Sequence, residues 1–127
     1  MSNENIVENV KRDLDLILDG NSEKLVNNAK ELGEHLGRVT RMTTSQIRNI
    51  YSDVKQMHEF NESIKYELNL LRPKMAYAAK RNPPTKDLQE ILDFAISKID
   101  NEKKFEKFKD FFEAIVAYHY SYKYGKE

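Results

Sequence analysis

The chain has 127 residues, no cysteine, and 21 Lys and Arg balanced by 21 Asp and Glu. That length suits one domain, residues 1–127, around a single core, and the missing cysteines exclude disulfide frameworks, thiolate zinc sites and cysteine nucleophiles. The first residues, MSNENIVENVKRD, carry frequent charges and no apolar h-region, so neither a secretory signal nor a membrane span is expected and the protein is expected in the cytoplasm.

Apolar residues recur at helical spacing almost from end to end, and no alternating Val, Ile and Thr run suggests a strand. A first helix is predicted over about residues 5–18, with Ile6, Val10, Leu14 and Ile17 inward and DGNS ending it. A second, with Leu25, Ala29, Leu32 and Leu36 inward, stops near Gly37. The third begins at MTTSQI: Thr43 caps it, Gln46 reaches back as capping-box partner, and Met42 staples onto Ile47. Its core face is Ile47, Ile50, Tyr51, Val54 and Met57.

A fourth helix begins near Asn61, and its apolar register of Ile64, Leu68, Leu71, Met75 and Ala78 survives Pro73. One helix kinked at Pro73 is therefore expected rather than two. After the break at RNPPT, Thr85 is expected to cap a fifth helix whose stripe runs from Leu88 to Ile99, and DNEK separates it from a sixth beginning at Phe105. Connections this short favour antiparallel neighbours, hence an all-α compact bundle of five to six helices.

The chemistry that composition permits is narrow. His35, His58 and His119 fall on three predicted helices, none within a metal-ligand motif. His119 shares an apolar face with Phe112 and Ile115, which fits a buried, hydrogen-bonded histidine better than a catalytic one. The four glycines are too scattered for a phosphate-cradling loop. No catalytic residue, metal site or cofactor is expected.

The neutral total hides an uneven distribution. Residues 1–37 carry a net charge of −4, residues 38–81 of +5, and residues 82–127 of −1. At about 100° per residue, Arg48 and Lys55 share one acid-free line of the third helix, and Arg41 continues it backward past the N-terminus, where free N–H groups also favour phosphate. On the fourth helix Lys74, Tyr77 and Arg81 share the solvent side with Lys80 flanking, a cation–aromatic–cation row suited to phosphates and an unpaired base. Arg72 borders the apolar face and is expected to pair inside the protein or across a subunit contact. Each row taken alone also fits an ordinary solvated helix face. Tyr118, Tyr120, Tyr122 and Tyr124 suit a protein contact or a cover for the core, and none is assigned to nucleic acid.

Three segments, MTTSQIRNIYSDV (42–54), LRPKMAYAAKR (71–81) and FFEAIVAYHYSY (111–122), resemble in order and spacing the small subunit of type III-A CRISPR effector complexes, the Csm small-subunit family. The resemblance covers the chain from the third helix onward. It implies a helical bundle that assembles in several copies as an inner filament, beside the backbone and large subunits, and binds along target RNA paired with the guide without cutting it. The family's RNA-facing basic positions map onto Arg48, Lys74 and Arg81; Arg41 and Lys55 come from the helical wheel alone. Members often carry glycine where this chain has Lys80, so the fourth helix is expected to run one turn further. The alternative is a helical protein-interaction module whose basic face meets acidic partner surfaces.

Overall fold

The computed structural model describes residues 5–124, with side chains to residue 123; Tyr124's side chain lies outside the described residues. Six α-helices follow one another: α1 (Ile6–Leu18), α2 (Ser22–Arg38), α3 (Thr44–Lys55), α4 (Glu62–Arg81), α5 (Lys86–Ile96) and α6 (Glu102–Tyr124), with a 3-10 turn at Pro83–Thr85 before α5. No strand occurs among the described residues, so the chain is an all-helical bundle.

Asparagine starts four of the helices. The side-chain oxygens of Asn5, Asn21, Asn61 and Asn101 each accept a backbone N–H from the first turn that follows, satisfying donors that would otherwise lack partners. Asn101 therefore begins α6 at Glu102, a turn before the expected Phe105, and DNEK initiates the helix rather than separating two. Gly20 ends α1 at φ 105°. The N–H of Gly20 donates to the Ile17 carbonyl and that of Asn21 to the Leu16 carbonyl, the paired bonds of a Schellman turn.

At the other predicted cap the structure differs. Thr85 is buried, its backbone is already helical (φ −80°, ψ −13°) and its side chain caps nothing. The two prolines explain this: they fix φ near the helical value, the 3-10 turn forms, and it runs directly into α5. Ile99 is buried as expected but lies in the connection after α5.

The core sits around α6. Phe105, Phe108, Phe111, Phe112 and Ile115 are wholly buried, and α6 packs against α1, α2 and α3, while α4 lies on α5 at one side. The closest approach is between α2 and α6 at Gly33, where a Cβ would stand 2.8 Å from Tyr118 Cβ and 2.9 Å from the His119 backbone nitrogen. α4 runs unbroken through Pro73, burying Leu68, Leu71 and Met75. A proline lacks one N–H, but its exposed position here leaves the freed carbonyl open to water.

Candidate functional site

The capping box fixes where α3 starts. Thr43 Oγ1 accepts from the Gln46 N–H at 3.0 Å and Gln46 Oε1 accepts from the Thr43 N–H at 2.9 Å, while Met42 and Ile47 are both buried in the core. The preceding connection is held from α6. The Met42 carbonyl accepts from His119 Nε2 (2.9 Å) and Lys123 Nζ (3.3 Å). A ring nitrogen facing a carbonyl must donate, so His119 carries its proton on Nε2, and the buried Nδ1 has no partner. Burial accordingly holds the His119 pKa below the usual histidine value, with Lys123 pushing the same way against the Met42 bond.

Arg41 does not continue the α3 stripe. It lies two residues before the helix cap in a left-handed conformation, φ 65°, and a wheel projection has no meaning across that reversal. The turn serves Met42, bringing its side chain into the core and its carbonyl to α6.

Arg48 and Lys55 open onto a groove of about 490 Å³ between α3 and α6, walled by Tyr51 and Ser52 on one side and Glu113, Val116 and Ala117 on the other. The Arg48 guanidinium lies 5.3 Å from the centroid of the Tyr120 ring, a cation–π contact that ties this groove residue to α6. Lys55 has no ion-pair partner among the described residues. Tyr51 is half-buried, edge-on to Phe112 at 5.2 Å; burial raises its phenol pKa, with Glu113 and Asp110 adding to the effect, so it stays neutral. The stripe is acid-free on α3 itself, yet Glu113 faces it from α6.

On α4 the row is partly committed. Lys74 Nζ meets Asp53 Oδ2 of α3 at 2.9 Å, so α3 brings a carboxylate to this row. Tyr77 is exposed and Arg81 lies 5.7 Å from its ring centroid. Lys80 is exposed, and α4 continues through it to Arg81. Arg72 turns to the opposite side and donates through Nε to Asp93 Oδ1 of α5 at 2.8 Å. The groove residues Arg48, Ser52 and Lys55 face α6 whereas Asn49, Ile50 and Asp53 face α4, so α3 lies between the two basic rows.

Tyr120 and Glu113 are the residues that sequence reasoning missed. Both sit on α6 more than fifty positions from Arg48, and no local pattern links them. His35 is similar: its Nε2 meets Asp87 Oδ2 at 2.7 Å, tying α2 to α5. His58, expected on a helix, is exposed in the α3–α4 connection. No group of three or more His, Asp or Glu among the described residues is placed to hold a metal, and no helix there is long and apolar enough to cross a membrane.

The family model described as Csm2 Type III-A matches residues 19–125 of the chain. No curated protein and no solved structure matches it.

Proposed function

Because the chain belongs to the Csm2 family of type III-A CRISPR complexes, we propose that it is a non-catalytic, cytoplasmic subunit that contacts the backbone of target RNA and of the guide–target duplex, in several copies beside the backbone and large subunits. The observation that carries this reading is the α3–α6 groove, where Arg48, stacked on Tyr120, and Lys55 stand at one rim. Where base pairing reads the sequence, a protein needs only shape and phosphate contacts. Two cations that meet phosphate as charges suit that task. Tyr77 with Lys80 and Arg81 forms the second contact, and Lys74 contributes less because Asp53 already offsets its charge.

The protein-interaction alternative is favoured at one place, the outer side of α4, where Tyr66 and Leu70 are exposed.

The deciding experiment measures target-RNA affinity of the reconstituted complex with this subunit native or carrying Arg48, Lys55, Lys74 and Arg81 changed to Ala, with assembly checked in parallel. Removing one exposed cation from a phosphate should cost about 1 kcal/mol or less and lower the salt slope by about one, equally for guide-matched RNAs of different sequence. Unchanged affinity, failed assembly or a sequence-dependent weakening would reject the backbone-contact reading.

A further inference from the structure

The two walls of the α3–α6 groove are in register. Arg48, Ser52 and Lys55 line it from α3, and Glu113, Val116 and Ala117 from α6, each set spaced as one helix face. The helices run antiparallel, since α6 bonds the Met42 carbonyl through His119 and Lys123 and the Met57 carbonyl through Lys109. Arg48 sits beside Tyr120; seven residues onward along α3 and seven back along α6 bring Lys55 level with Glu113. At this end a cation and a carboxylate face each other across the groove, yet neither forms an ion pair among the described residues. The charge of Glu113 is felt inside the groove, where it helps to raise the Tyr51 phenol pKa.

A carboxylate beside bound phosphate costs affinity through like-charge repulsion, unless the ligand brings it a hydrogen-bond donor. A phosphodiester has none to bring. The ribose 2′-hydroxyl is a donor, it belongs to the same nucleotide as the phosphate, and it is the group that tells RNA from DNA. Val116 and Ala117 make the wall beside Glu113 apolar, which suits the C–H face of a sugar. We propose that Glu113 is a specificity-determining residue: it accepts a hydrogen bond from a 2′-hydroxyl of the target while Lys55 meets the adjoining phosphate, so that the groove selects ribose over deoxyribose. A deoxy strand leaves the repulsion in place with no bond to offset it. Every ribonucleotide carries this hydroxyl, so the contact is blind to base sequence, and the inference rests on the RNA-backbone reading above.

The test uses the reconstituted complex, with assembly and the circular dichroism of the subunit checked for each variant. Two guide-matched targets of one sequence are compared: all-ribose, and a strand with 2′-fluorine throughout, which keeps the A-form sugar pucker but cannot donate. Other subunits also meet the sugar, so the quantity read is the ratio of the two affinities in each variant against that ratio in the wild type. Glu113→Ala should lower the preference for ribose by about threefold or more, chiefly by tightening the hold on the fluorinated strand as repulsion is relieved. Glu113→Gln, which keeps an acceptor oxygen without the charge, should lie between. Glu31→Ala, which removes an exposed carboxylate of α2, should leave the ratio unchanged. A ratio unmoved by both Glu113 variants, or lowered as far by Glu31→Ala, would overturn the proposal. Arg48→Ala with Lys55→Ala separates this inference from the reading beneath it. If that pair weakens both targets while the Glu113 variants leave the ratio unmoved, phosphate contact stands and ribose selection fails; if it weakens neither target, both fail.

Discussion

Replacing Gly33 and Gly37 of α2 by alanine, one at a time, should destabilise the fold at Gly33 but not at Gly37. In a helix interior the substitution gains up to about 1 kcal/mol from backbone propensity. At Gly33 the new Cβ would stand 2.8 Å from Tyr118 Cβ, 2.9 Å from the His119 nitrogen and 3.1 Å from the Ile115 carbonyl oxygen. Two of these neighbours are backbone of α6, which no rotamer change can move. Relief requires α2 and α6 to separate by about 0.6 Å, and a gap of that size forfeits a quarter or more of the dispersion energy along the interface. Overpacking of this kind costs about 3 kcal/mol, leaving Gly33→Ala less stable by about 2 kcal/mol. Gly37 meets the Tyr122 ring at 3.0 Å and the Lys123 side chain at 3.5 Å, and both can yield. Gly37→Ala should be neutral or stabilising by up to about 0.5 kcal/mol. Urea denaturation followed by circular dichroism measures both, with a fall in melting temperature of roughly 8 °C for Gly33→Ala as the thermal counterpart. Equal stabilisation by both alanines would refute the close approach of α2 and α6. The substitution also reaches the groove, because separating α6 carries Tyr120 away from Arg48.

Three further outcomes follow from other interactions. His119 is neutral in the fold with its pKa lowered, so the unfolded chain takes up the proton first: the stability present above about pH 6.5 should fall as the pH drops below it, by at most about 1.4 kcal/mol per pH unit. Denaturation at a series of pH values should show this slope in the wild type, and His119→Gln should lack that share of it. Thr43→Ala removes one half of the α3 capping box and should cost about 1 kcal/mol in chemical denaturation. Asp53→Asn releases Lys74 from its carboxylate partner; if Lys74 faces phosphate, RNA affinity of the complex should rise about two- to threefold at low salt and converge with wild type at high salt.

The helices were legible in the sequence because their signals are local. The capping box at Thr43 and Gln46 is written within four residues, and the apolar register through Pro73 outweighs the single missing hydrogen bond. The misread boundaries also have local causes: the Pro-Pro pair drew Thr85 into a helical turn, and Asn101 capped a helix whose first apolar residue comes later. The site was less legible because its geometry belongs to pairs of helices. A wheel places Arg48 and Lys55 together but is blind to Glu113 and Tyr120 on α6, and it could not show Asp53 reaching Lys74. Arg41 failed for a different reason, a left-handed residue that ends the helical frame on which the projection depends.

The placement of the four buried phenylalanines on α6 also bears on how the chain is made. α1, α2 and α3 turn their apolar faces towards a helix that is synthesised after them, so a nascent chain lacking residues 105–115 has amphipathic segments with little to close upon. Folding should then be late and concerted rather than stepwise from the N-terminus, and until α6 emerges from the ribosome those faces remain open to chaperones and to aggregation.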